Sequence, residues 1–297
     1  MRSRSTMSNR TTFAGAAAAL LLAGCATMTG APLRPDTIYA VTGNNTLIHF
    51  NAGRPAQPDA SLSISGLAAG ENLLGIDFRP ANGKLYAAGS SGRIYVLDTE
   101  SGAAAAVGTG IFTGLIQGDE IGFDFNPVVD RIRVVDNVGN NFRLHPETAI
   151  LVDGNAMMDG IQPDAMLGYA REDVNAGKLA RVVAVAYTNG HGAKWTTNFA
   201  IDSAQATLVT MGRPEGTTPA KTPSNPNEGR LFTIGRLGVI TGKRVGFDIH
   251  PVRRSAYASF QEGDVSALYE IDLTSGAAQR IGLIGKSLLV RGIAIAP

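Results

Sequence analysis

Apolar residues in this chain come in short runs, each opened or closed by Gly, Asn, Ser or Pro. "LLGIDFRP", "KLYAAG", "RIYVLD" and "AAAAVG" follow one another between residues 73 and 108, split by "ANG", "SSG" and "TESG". "RVGFDIHP", "SAYASF", "ALYEID" and "AAQRIG" repeat the order from residue 244. Segments this short and this rich in branched and aromatic side chains predict strands joined by tight turns, and the turns leave no room for crossover helices. The expected fold class is all-β.

The opening segment of each unit recurs, as "GIDFRP" at 75–80, "GFDFNP" at 122–127 and "GFDIHP" at 246–251. Aligned on its glycine, the motif marks Gly75, Gly122, Gly168, Gly246 and Gly292, spaced by 47, 46, 78 and 46 residues. Periods in the forties are those of four-stranded propeller blades. The expectation is a β-propeller of five blades, or six if the Pro- and Thr-rich insertion at 213–243 hides a degenerate one. Blade four is expected to open at "MLGYARED", with its outer strand, "RLFTIGRL", placed after the insertion. The first unit lacks an opening strand, while "VRGIAIAP" at 290–297 is an opening strand with nothing after it. The two ends are therefore expected to pair into one composite blade, which closes the ring and removes its exposed edges.

Charge and cysteine content add a location. Arg2, Arg4 and Arg10 precede an uncharged run and then "LAGC", ending at Cys25, the lone cysteine. A charged start, a short apolar middle and small residues at a cut site describe an export signal. The stretch resembles the bacterial lipobox. That implies removal of residues 1–24, lipidation of Cys25, a tether over 25–35 and a single propeller domain over 36–297. Ala26 after the cysteine fits retention in the outer membrane, facing the periplasm. The three signal arginines turn a formal net charge of +1 into −2 when they leave. A nearly neutral surface excludes nucleic acid as a partner. The expected partners are an envelope protein or glycan and, through the lipid, the membrane; the chain is expected to be a monomer.

Candidate chemistry is sparse. Asp98 and Asp272 precede "TESG" and "LTSG" and are expected to cap turns. His49, His145, His191 and His250 lie in different units without ligand spacing, no G-x-S-x-G elbow occurs, and Met157 spoils the calcium-like loop "DGNAMMDG". Arg131, Arg133, Arg143, Arg253 and Arg254 are expected mainly to pair with acids, or else to line an anionic pocket. The suggestive set is Asp77, Asp124 and Asp248, which share one position in three opening strands where Ala170 and Ala294 stand in the other two. Three carboxylates about an axis either hold a hard cation or bond the backbone of neighbouring blades.

The combination of "GIDFRP", "GFDFNP", "GFDIHP" and "VRGIAIAP", with the more specific "NPVVDRIRVV" and "NNFRLHPETA", resembles the bacterial family called domain of unknown function 4394, over residues 36–297. The resemblance implies a propeller-like repeat and carries no catalytic residue with it. The functional expectation is a non-enzymatic, lipid-anchored binding or scaffold module without a cofactor. The alternative is a metal-dependent, lactonase-like hydrolase using Asp77, Asp124 and Asp248. A quinone-dependent dehydrogenase is disfavoured, because such rings resemble larger assemblies with a tryptophan in most blades and this chain has Trp195 alone.

Overall fold

The computed structural model describes Met1 and residues 31–112, 114–213 and 225–297. Cys25, the export signal and the middle of the insertion lie outside these residues. Ala31–Pro297 forms one compact unit. Among the described residues the only helical element is a 3-10 turn at Pro226–Glu228. No helix among them is long and apolar enough to cross a membrane.

Strands β1 (Thr37–Thr42), β2 (Thr46–Asn51) and β3 (Ala60–Ser63) begin the first blade; β4 (Leu73–Phe78), β5 (Leu85–Gly89), β6 (Ile94–Leu97) and β7 (Ala104–Ala106) make the second. The third has β8 (Ile121–Asn126), β9 (Arg131–Asp136) and β10 (Asn141–Leu144). Where a four-stranded blade would add its outer strand, "AILVD" at 149–153 makes only a single Leu144–Leu151 bridge. The fourth blade collects β11 (Gly168–Tyr169), β12 (Val182–Tyr187), β13 (Asn198–Asp202), β14 (Thr207–Met211) and β15 (Arg230–Arg236). The fifth has β16 (Gly246–Ile249), β17 (Ala256–Glu262), β18 (Val265–Ile271) and β19 (Ala278–Leu283). Finally β20 (Val290–Ile295) pairs antiparallel with β1, Ala40 opposite Ile293, and completes the first blade in the order β20-β1-β2-β3. The ring has five blades and is closed by the tail of the chain.

Blade four departs from the sequence alignment. Gly168 is not an inner residue: Gly168–Tyr169 is a short outermost strand running parallel to β15, Gly168 opposite Arg230. The innermost strand is β12, so Ala184 takes the place of the motif glycine and Ala186, rather than Ala170, takes the place of the aspartate. Gly122 to Ala184 and Ala184 to Gly246 are each 62 residues apart, so the extra length is split between the loop before β12 and the insertion inside the blade. "GYA" mimics the motif locally, but only β12 has apolar residues on both faces, as an inner strand pressed between two blades requires. All six residues of β12 are buried.

Five apolar clusters fill the five gaps between neighbouring blades. Ile38, Ile48 and Phe50 of blade one meet Tyr257 and Leu268 of blade five, while Val41, Leu47 and Ala294 meet Leu73, Ile76 and Tyr95 of blade two. Tyr86 and Ile94 meet Phe123, Phe125 and Phe142 across the next gap; Val135 meets Val185, Val209 and Met211; Phe199 and Leu208 meet Phe247 and Phe260. Each such side chain stabilises the ring by about 1.5–3 kcal/mol relative to exposure. The core is thus distributed around the ring, and no blade buries its faces alone.

The motif glycines sit where inner strands crowd the axis. A Cβ on Gly122 would lie 2.8 Å from the Val185 nitrogen of blade four, and one on Gly246 would lie 2.7 Å from the Ile293 nitrogen of blade one. Gly75 and Gly292 press the next blade in the same rotational sense, against Phe123 and Gly75. Gly168 has nothing within 4 Å of where its Cβ would be. Gly122→Ala is therefore expected to destabilise by about 1–3 kcal/mol through overpacking, while Gly168→Ala stays within about 0.5 kcal/mol of wild type. Denaturant unfolding of the two variants checks the assignment of the inner strand, since the sequence alignment alone would predict equal costs.

Candidate functional site

All five inner strands run the same way along the axis, so the ring has two chemically distinct ends. Two residues beyond each motif glycine, Asp77, Asp124 and Asp248 turn inward and are buried. One oxygen of each accepts a backbone N–H from the following blade: Asp77 Oδ2 from Phe125 (2.8 Å), Asp124 Oδ1 from Tyr187 (3.2 Å) and Asp248 Oδ2 from Ile295 (2.6 Å). Where the preceding blade carries alanine instead, the amide turns to its own strand. Ile249 N–H bonds Asp248 Oδ1 at 2.6 Å, and the Phe78 N–H acts on Asp77 and favours its charged form. Five inner amides thus face three carboxylates, four of them in hydrogen bonds. This explains why three aspartates suffice, and burial makes each of these bonds costly to lose.

The same three side chains also converge. One oxygen from each lies within 4.8 Å of the others, close enough for a single cation to touch all three. A cavity of about 70 Å³ opens beside them, lined also by Phe78, Tyr187, Asn189 and Pro297. Arg79 belongs to that lining but is turned away, its Nε donating to Asp130 Oδ1 at 2.9 Å and its Nη2 reaching Glu147 at 3.3 Å. Burial pushes Asp77 well above the ordinary carboxylate range, with Asp248 adding to it; burial and then both neighbours do the same to Asp124, and burial moves Asp248 up to about 6. Backbone amides offset only part of this, because their partial charges do not cancel three whole ones.

The opposite end is wider. Between the two ends, the axis is nearly closed by Gly75, Gly122, Gly246 and Gly292, with room for about 10 Å³. Beyond them a basin of about 440 Å³ opens, lined by Leu74, Glu120, Arg244, Gln261, Asp264 and Arg291 among others. The basin forms where the chain enters the inner strands, so the residues just before each motif glycine face it. That placement was available in the repeat alignment, but Arg244, Arg291 and Glu120 occur once each and escape a search for repeated chemistry.

Other candidates from the sequence resolve as structure. Asp98 Oδ1 accepts N–H bonds from Glu100 and Ser101, and Asp272 Oδ1 accepts them from Thr274 and Ser275. Thr274 and then Ser275 pull the Asp272 carboxyl down to about 2. His250 Nδ1 accepts from Val252 and Arg253, and His145 Nδ1 from Glu147. Three of the five arginines pair with acids. Arg133 is buried against Asp164, Asn141, Asn227 and Tyr187; Arg143 grips the same Asp164 at 2.8 and 2.7 Å; Arg253 pairs with Asp36. In "DGNAMMDG", Asp153 Oδ1 accepts from Asn155 and Gln162, as a loop cap does.

The model of the family described as "Domain of unknown function (DUF4394)" matches residues 46–294. No curated protein matches the chain. Among solved structures the chain is similar to the dihydro-heme d1 dehydrogenase NirN in complex with DHE, at 17% identity over 82% of this chain and 42% of that one, TM-score 0.35. It is also similar to Myxococcus xanthus glutaminyl cyclase (11%, over 90% and 96%, TM-score 0.44) and to the Dos1 propeller (13%, over 80% and 54%, TM-score 0.39). The chain spans less than half the length of the NirN chain, and none of these distant likenesses bears on activity.

The raised axial carboxylates set a pH dependence. With folded values above the unfolded value near 3.8, the folded state binds more protons than the unfolded state between the two, so stability falls as pH rises through that window. Cation-free protein is expected to lose melting temperature from pH 5 to pH 8, most steeply up to about 6, above which Asp248 no longer holds its extra proton. Asp124→Asn is expected to flatten the profile. A wild-type melting temperature that rises across this range would contradict the assignment.

Proposed function

The chain belongs to the family of domain of unknown function 4394, and we propose that within it this protein is a lipid-anchored envelope propeller that binds a partner rather than transforming one. The observation that carries this reading is the contrast between the two ends of the axis. The end that holds the acids leaves about 70 Å³, too little for a sizeable substrate beside them, and commits each acid to backbone bonds. The end that is open, at about 440 Å³, is of the size of small-molecule sites and is lined by polar residues on loops and strand ends of a rigid ring. The partner is an envelope protein or glycan that docks at this open end. The anchor is the lipid on Cys25, which holds the ring at the outer membrane on its periplasmic side.

Two measurements test the parts separately. Cells fed a radiolabelled fatty acid should label the wild-type chain and leave Cys25→Ser unlabelled and released from membranes; equal labelling would remove the anchor. Cross-linking in intact cells should join the full chain to a partner that Gln261→Trp, which fills the basin, abolishes and Lys84→Trp, at the other end, does not. Cross-links indifferent to Gln261→Trp would remove the basin from the reading.

The convergence of Asp77, Asp124 and Asp248 favours a second reading, in which a hard divalent cation sits on the axis and supports lactonase-like hydrolysis. A cation in that place joins blades two, three and five and supplies the charge that the amides do not. Calcium or magnesium at pH 8 is then expected to raise the melting temperature of wild type and not of Asp124→Asn, an effect that fades at pH 5, where protons neutralise the acids. Unchanged melting at pH 8 over millimolar ion would exclude the cation and the hydrolase with it. Cation-dependent stability without turnover of simple lactones would leave the ion a structural role.

A further inference from the structure

We infer that Arg244 and Arg291 form an oxyanion-binding pair in the open basin, so that its ligand carries a carboxylate or phosphate group. The inference deepens the binding reading above and rests on that reading only for the identity of the face. Both residues line the basin. They arrive from different blades, Arg244 two residues before Gly246 and Arg291 one residue before Gly292. Both come close to Gly43: Arg291 Nη2 donates to the Gly43 carbonyl at 3.3 Å, and Arg244 Nη1 lies 3.9 Å from where a side chain on Gly43 would begin.

Neither guanidinium makes an ion pair among the described residues, although the Glu120 carboxylate acts on both through space. Arg244 has no side-chain hydrogen bond or ion pair among the described residues. Arg291 makes only long contacts, to Gly43 and to Asn72 Oδ1 at 3.5 Å, and its buried Nε has no partner. Burial and then the nearby Arg244 make the charged form of Arg291 less favourable than usual, and Glu120 offsets this only in part. The acids of the basin are engaged or peripheral. Glu120 Oε2 accepts the Arg244 backbone N–H at 2.6 Å, Asp119 pairs with Lys243 at 3.2 Å, and Asp264 is exposed on the hairpin between β17 and β18. Two like charges held close in a cavity are stabilised when an anion enters between them, and the planar fork of arginine fits carboxylate and phosphate oxygens.

The backbone supports the same conclusion. Arg244 has a φ of 64°, in the left-handed region that glycine adopts without cost. A strained non-glycine residue, held by a bond from its own N–H to Glu120, keeps its side chain in the basin where a glycine would fit the chain better. Strain of this kind collects at ligand sites.

The experiment uses the purified full chain and titrates inorganic phosphate and malonate as probes by calorimetry, with chloride as the control anion. Saturable binding of at least one oxyanion is expected, weakened roughly ten- to hundredfold in Arg291→Ala and less in Arg291→Lys, which keeps the charge but loses the fork. The decisive variant is Arg244→Gly. It relieves the strained conformation, so it should melt at or above the wild-type temperature while losing affinity, and misfolding cannot be confused with loss of the site. Lys84→Ala, exposed at the opposite end, should bind as wild type does. Phosphate alone binding would point to a phosphate ester, malonate alone to a carboxylate, and either supports the pair. No saturable binding, or binding unaltered in Arg244→Gly and Arg291→Ala, would overturn it. Cross-linking blocked by Gln261→Trp, with no oxyanion binding, would sink this inference and leave the binding reading standing; oxyanion binding without a cross-linked partner would do the reverse.

Discussion

The pairing of β20 with β1 is the constraint on which the rest of this molecule depends. Without that antiparallel ladder, the first blade has no inner strand and blades five and two face each other across an unfilled gap. The apolar clusters on either side each draw on β20, through Ile293 and Ile295 in one direction and Ala294 in the other. Closure therefore joins the two ends of a long chain and completes two of the five packing interfaces at once. It also carries an entropic cost, since residues separated by some 250 positions must meet. The distributed core is what offsets that cost, because every blade contributes to two gaps and none is stable as a lone sheet.

Around the axis, backbone satisfaction and charge repulsion pull in opposite directions. Five inner amides point toward a space too narrow for bulk water, and three aspartates answer them. Those aspartates then repel one another, which is why burial and mutual charge raise their proton affinity instead of leaving them ordinary acids. A structural role and an ion-binding role are not alternatives here. The amides fix where the carboxylates stand, and the residual charge determines what will settle among them.

The periphery follows a different rule. Buried acids on loops and strand ends are gripped by several donors each: Asp36 by Arg253, Ser255 and Tyr257; Glu71 by Ser90, Ser91 and Tyr95; Asp164 by Arg133 and Arg143. These groups staple connections to the ring, and their charges are compensated in place, as buried ions require. Arg244 and Arg291 stand apart from this pattern because they face space and each other, and that contrast distinguishes a site from a staple.

The sequence by itself determined the all-β class, the blade period, the closure of the ring and the shared position of Asp77, Asp124 and Asp248. Each of these is written in local order: hydrophobic runs bounded by turn residues, a glycine where strands crowd, an orphan strand at one end and a missing one at the other. The place of Gly168 is not legible locally, because the motif that marks an inner strand is short, and "GYA" satisfies it without the two-sided burial that defines the position. Only the tertiary structure decided that β12 takes that place, that each aspartate bonds an amide of the next blade, and that Arg244 and Arg291 meet in one basin. Those facts concern residues from different blades, and the chain has no local signal for them, since blades far apart in sequence become neighbours only once the ring is shut.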